Sequence, residues 1–246
     1  MYTNQDIREY YNRDSNQTRY SQAIESPGLW AAEKYVFAKY VNIHDRILDL
    51  GCGAGRTTIN LYKLGYTNIS GLDIAEKLIE LASKYAKSNK LKIDFVVGDA
   101  TKLDFPPASF DVAFFSYNGI MCIPQQVNRE KVLANVQSVL KPGGLFIFTT
   151  IDREAAGEYR QFWLQEKQRW LVNKPDPNLY EYGDLIVTDI TGEPSFLHFY
   201  SRHEVATMLK KHSFKILECR SRSAIAAEPK EVTDFSADTV FWIAKK

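Results

Sequence analysis

A short apolar strand that ends in an acid and runs straight into three alternating glycines constrains this chain more than any other feature: Arg46-Ile47-Leu48-Asp49-Leu50-Gly51-Cys52-Gly53-Ala54-Gly55. Glycines at alternate positions leave the backbone bare and open to angles closed to other residues, so a ligand can lie against the main chain. In open α/β sheets that ligand sits beyond the carboxyl ends of the strands, where strand order reverses. The spacing argues against a nicotinamide or flavin dinucleotide site, whose fingerprint puts glycines at positions one, three and six to bring a pyrophosphate onto a helix N-terminus. Here they fall at one, three and five, and the sixth position is Arg56.

The strand-then-acid pattern recurs twice. Asn68-Ile69-Ser70-Gly71-Leu72-Asp73 reads as a second strand, and Ile93-Asp94-Phe95-Val96-Val97-Gly98-Asp99-Ala100 as a third; Asp49 to Asp73 is 24 positions and Asp73 to Asp99 is 26. Each interval holds one helix, over 56–64 and over 76–88, where Leu78, Leu81, Ala82 and Tyr85 recur at helical spacing. That is βαβαβ, a parallel sheet with right-handed crossovers. A fourth strand is expected over 110–115, a helix over 127–140 and a fifth strand over 145–151. Between them Lys141-Pro142-Gly143-Gly144 suits a type II turn with Gly143 at positive φ. Residues 152–200 break the alternation with a helix over 154–172, a loop rich in Pro and Asn, and a hairpin around Ile190-Thr191-Gly192-Glu193-Pro194. A helix over 202–212 and strands over 214–220 and 238–244 close the chain.

Five segments together resemble the class I S-adenosylmethionine-dependent methyltransferases: Leu48-Asp49-Leu50-Gly51-Cys52-Gly53-Ala54-Gly55, Leu72-Asp73-Ile74, Gly98-Asp99-Ala100, Phe110-Asp111-Val112-Ala113-Phe114-Phe115 and Leu140-Lys141-Pro142-Gly143-Gly144. They stand in the family's order and spacing over roughly residues 44–151. The resemblance implies a doubly wound, Rossmann-like, seven-stranded, mostly parallel α/β sheet with the last strand antiparallel and helices on both faces. It also implies S-adenosylmethionine as cofactor. Gly51, Cys52, Gly53 and Gly55 would pass the main chain close to its methionyl and ribose portions, with Asp49 fixing the loop or meeting the ammonium through water. Asp73 would accept hydrogen bonds from both ribose hydroxyls, and Ile74 would face adenine. Asp99 resembles the acid that accepts from the adenine amino group, beside the Ala100 N–H, and Ser116 falls where the family's chain nears the methionyl end. A helix N-cap is the competing role for each acid.

Composition narrows the partners. A chain of 246 residues fits one domain, with residues 1–43 as an N-terminal lid and 152–200 as a substrate-side insertion. Lys plus Arg number 31 and Asp plus Glu 30, with no concentrated basic stripe, so nucleic acid is disfavoured as a partner. Cys52, Cys122 and Cys219 are odd in number and lack ligand spacing, which argues against a disulfide framework or a metal site and fits a cytoplasmic protein. No targeting pattern or membrane-length apolar run stands out. The expected state is monomer or homodimer.

Methyl transfer by in-line displacement needs positioning more than side-chain chemistry, and a general base only when the acceptor must lose a proton early. No histidine among His44, His198, His203 and His212 stands out as one, so no catalytic residue is assigned. After the fourth strand the chain reads Ser116-Tyr117-Asn118-Gly119-Ile120, without the Asn/Asp-Pro-Pro-Tyr/Phe motif that holds an exocyclic amino group. Two aromatic segments are the expected acceptor walls. One is the N-terminal stretch with Tyr11 and Tyr20. The other is 152–200, where nine aromatics, Trp163 and Tyr200 among them, stand against about six for the chain average of 13%. Packing of one helix face explains Tyr159, Phe162, Trp163 and Trp170 equally well. A small organic acceptor is the favoured reading; a tRNA-modifying enzyme and a non-catalytic cofactor-binding module are the alternatives.

Overall fold

The computed structural model describes residues 2–155, 159–188 and 192–246. Three helices precede the sheet: α1 (Asn4–Tyr11), α2 (Asp14–Gln22) and α3 (Ala31–Tyr40). The alternating body follows as β1 (Ile47–Leu50), α4 (Arg56–Lys63), β2 (Ile69–Asp73), α5 (Glu76–Ser88), β3 (Asp94–Val97), β4 (Phe110–Phe115), α6 (Gln126–Val139) and β5 (Leu140–Thr150). Next come α7 (Tyr159–Leu171), β6 (Asp184–Thr188), β7 (Pro194–His198), α8 (Arg202–Lys211), β8 (Lys215–Ser221), the short α9 (Arg222–Ile225) and α10 (Lys230–Phe235), and β9 (Val240–Lys245).

Seven strands form one sheet in the order β3-β2-β1-β4-β5-β9-β8. Pairing is parallel from β3 through β5, and β9 runs antiparallel to both neighbours, as the resemblance implied. Order reverses between β1 and β4, so the crevice beyond the carboxyl end of β1 lies at the switch point. Side chains alternate across the strands, and both faces are buried. Leu48, Leu50, Ala113, Phe146, Phe148 and Trp242 join Val132, Val136 and Leu209 of α6 and α8 on one face. Ile47, Val112, Phe114, Ile147 and Phe241 join Val36 and Phe37 of α3 on the other.

Differences from the expected elements are local. β5 begins at Leu140, five residues early, because the 141–144 turn is a bulge within the strand: the register with β4 shifts between Phe110 and Val112. Gly143 has φ +81°, the positive value expected of it. The expected hairpin is the two-stranded β6-β7 sheet. Its tip at Ile190-Thr191 lies outside the described residues, as do 156–158 of the expected 154–172 helix. Among the described residues no helix is long and apolar enough to cross a membrane.

Candidate cofactor site

The β1 strand ends in a loop whose glycines have separate reasons to be glycine. Gly51 (φ +62°) and Gly55 (φ +94°) are demanded by packing, since an added Cβ would lie 2.6 Å from Phe115 and 2.7 Å from Ile59. Gly53 differs: at φ +55° its nearest neighbours would be Leu78 at 3.8 Å and Tyr20 at 4.0 Å, across open cavity. This is the position where a bare backbone leaves room for a ligand. Its N–H donates to Asp73 Oδ2 at 2.7 Å, while Asp73 Oδ1 accepts from Ala75 N–H at 2.8 Å at the start of α5. Asp73 is thus both the anchor of the turn that leads into α5, whose N-cap is Ala75, and a wall of the cavity. Burial raises its pKa against the pull of these backbone donors. An ionised carboxylate offers about four lone-pair sites, so the N–H contacts leave capacity for a ligand's hydroxyls.

Asp99 follows β3 and is placed in the same double way. Oδ1 accepts from Thr101 N–H at 2.8 Å, and Oδ2 accepts from the Asn4 side-chain amide at 3.1 Å. Ile74, Ala100, Cys52 and Ser116 also line the cavity. Asp49 does not. It is fully buried beneath the loop, where Oδ2 accepts from the Thr57 and Thr58 hydroxyls at 2.5 and 2.7 Å, and burial lifts its pKa to about 6. Gly55 likewise stays off the lining, at the head of α4. Asp49 and Gly55 therefore shape the loop from below.

Helices α1 and α2 cover the cleft. Tyr11 and Tyr20 both line the cavity with their rings edge to face at 5.6 Å, and Tyr20 meets Tyr117 at 6.4 Å. The Tyr11 hydroxyl lies 3.1 Å from Cys122 Sγ. Burial pushes the Tyr11 phenol well up and the Cys122 thiol to about 11, so both stay protonated near neutrality. Arg56 also lines the cavity, but its charge is held by Glu33 of α3 at 2.6 Å.

Trp163 and Tyr200 do not come to this cavity. Trp163 packs against Phe162, Tyr182 and Phe199, and Tyr200 against His198; both belong to the core beside α6 and α8. The aromatic enrichment of 152–200 is core packing of α7 on the β6-β7 hairpin. His198, buried, is bonded through Nδ1 to Asp184 at 2.7 Å, and burial lowers its pKa. Asn4, Tyr117 and Cys122 line the cavity without having been assigned to it from sequence.

Residues 47–144 match a methyltransferase domain family. An S-adenosylmethionine-dependent methyltransferase from Methanosarcina mazei superposes with a TM-score of 0.69 at 25% identity, over 89% of this chain and 98% of that one. The chain carries a methyltransferase domain over these residues, in the fold of the class I S-adenosylmethionine-dependent methyltransferases. The chain is also 35% identical over 120 residues to a sterol 24-C-methyltransferase of Clavispora lusitaniae, 47% of this chain and 31% of the relative. It is 27% identical over 159 residues to the bovine (Bos taurus) eEF1A lysine and N-terminal methyltransferase, 60% of this chain and 23% of the relative. The chain thus spans less than a third of the length of these two curated relatives. The cofactor of the family, S-adenosylmethionine, fits the residues present: the open face of Gly53, and the spare acceptor capacity of Asp73 beside it.

Proposed function

We propose that this methyltransferase transfers the methyl group of S-adenosylmethionine to a small organic acceptor by in-line displacement. The observation that carries the reading is the roof. Tyr11 and Tyr20 of α1 and α2 line the cavity with Tyr117, Cys122 and Ile123 as well as the glycine loop, and a partly covered, mostly apolar pocket suits a small molecule. In this reading residues 1–43 are a lid over one methyltransferase domain.

The bound cofactor would supply an electrophilic methyl group on a cationic sulfur. Asp73 would take the ribose hydroxyls, Ile74 would lie on adenine, Asp99 and the Ala100 N–H would meet its edge, and Ser116 and the Gly51–Gly53 backbone would flank the methionyl end. Tyrosine faces suit a sulfonium, because the ring quadrupole attracts a cation. Being protonated, Tyr11 and Cys122 can orient an acceptor through hydrogen bonds but not take its proton. Rate would then come from alignment and exclusion of water.

The test is transfer of labelled methyl from S-adenosylmethionine into fractionated extract, with the product identified by mass. Label in a small molecule supports the reading; label confined to protein would move the acceptor to a polypeptide side chain, and label confined to RNA to a tRNA. No labelled product from any fraction would leave a cofactor-binding module without catalysis.

A further inference from the structure

The first helix carries two stripes of different chemistry. Asn4, Arg8 and Asn12 recur every four residues along one side of α1 and its cap, and Ile7 and Tyr11 along the next, which faces the cavity. The polar stripe runs from Glu76, outside the cavity, to Asp99, which lines it. Arg8 grips Glu76, the first residue of α5, in a two-point contact of 2.9 and 3.0 Å. Asn12 donates to the same carboxylate at 2.8 Å and accepts from the Lys77 N–H at 2.9 Å. These four bonds fix the axial position of α1. One turn beyond Arg8, they deliver Asn4 to Asp99, where its amide nitrogen donates to Oδ2 at 3.1 Å and both residues line the cavity.

We propose that Asn4 is a further adenine-reading residue of the cofactor site, held over the purine edge by the clamp of Arg8 and Asn12 on Glu76. The proposal rests on the placement of adenine at Asp99 given above. An adenine amino group carries two hydrogens and wants two acceptors. Asp99 supplies one. The Asn4 amide turned toward Asp99 leaves its carbonyl oxygen as the second, so the acid and the amide together recognise an amino group where either alone would serve any donor. Arg8, Asn12 and Glu76 touch no ligand in this arrangement and act as positioning residues.

Titration calorimetry on the full chain tests this with S-adenosylhomocysteine and S-inosylhomocysteine, in which an oxo group replaces the adenine amino group. Wild type should prefer S-adenosylhomocysteine. Asn4→Ala should weaken S-adenosylhomocysteine about tenfold, the cost of one hydrogen bond, and leave S-inosylhomocysteine within about threefold, so that the preference shrinks. Arg8→Ala, which loosens the helix as a whole, should weaken both compounds by similar factors. An equal loss for both compounds in Asn4→Ala would make Asn4 a mere part of the lid and overturn the proposal, as would no loss for either. If wild type binds neither compound, the cofactor assignment of Asp99 fails along with it.

Discussion

Replacing Asp49 with Asn should remove a pH dependence from the stability of this protein. Asp49 is fully buried, and burial outweighs its bonds to Thr57 and Thr58, lifting its pKa from 3.8 to about 6. A carboxyl that titrates near 4 in the unfolded chain and near 6 in the folded one binds its proton more tightly when folded. Its contribution to stability is therefore whole below about pH 4 and is lost as pH rises through about 6. A difference of about two units at about 1.36 kcal/mol each gives about 3 kcal/mol. Asparagine cannot ionise, and its carbonyl can accept from both threonine hydroxyls. The unfolding free energy of Asp49→Asn, taken relative to wild type, should thus rise by about 2 kcal/mol between about pH 4.5 and 7.5 in urea titrations, the rest of the difference falling below pH 4.5. Because Asp49 lies beneath the cavity, the S-adenosylhomocysteine dissociation constant should change by less than about threefold, a loss below about 0.7 kcal/mol. Parallel stability curves would refute the assignment of the buried charge, and a large loss of affinity would put Asp49 on the ligand.

Asp73→Ala should weaken S-adenosylmethionine binding by about 1.5–3 kcal/mol in a folded protein, measured by calorimetry, since it deletes a charged acceptor; an unchanged dissociation constant would leave Asp73 as an anchor of the two loops only. NAD should show no saturable binding, given Arg56 at the sixth position of the glycine motif. Trp163→Ala should cost about 3–5 kcal/mol of stability by urea unfolding and leave the KM of an identified acceptor unchanged. A selective rise in that KM would return Trp163 to the acceptor wall. Tyr20→Ala should lower methyl transfer more than cofactor affinity, read by comparing kcat/KM with the calorimetric dissociation constant.

Much of the sheet was legible because each strand carries its own punctuation: Asp49, Asp73 and Asp99 end three strands at even intervals, and the helices between them have a clear apolar period. Most of the residues expected at the cofactor also line one cavity. Their finer division was not legible. Gly51, Gly53 and Gly55 look alike in a string, and only their neighbours separate packing at the first and third from open space at the second. Trp163 and Tyr200 misled for a physical reason, since an aromatic wall of a cavity and an aromatic core have the same composition and differ only in what lies beside them. Asn4 and Arg8 escaped notice because their spacing is a polar stripe. The hydrophobic period that marks a helix is silent about polar partners supplied by Asp99 and Glu76, 95 and 68 positions away.

Two ion pairs of opposite exposure hold elements that line the cavity. Arg56 and Glu33, beneath it, have side chains 8% and 0% exposed; Arg8 and Glu76, on the roof, are 42% and 37% exposed. Dissolved ions screen an exposed pair and barely reach a buried one. Ionic strength therefore acts on the Arg8–Glu76 pair far more than on the buried one. Raising it should loosen the hold of α1 on α5 while α4 and α3 stay joined beneath the glycine loop, so in the proposed reading the solution around the protein would tune how firmly the lid closes.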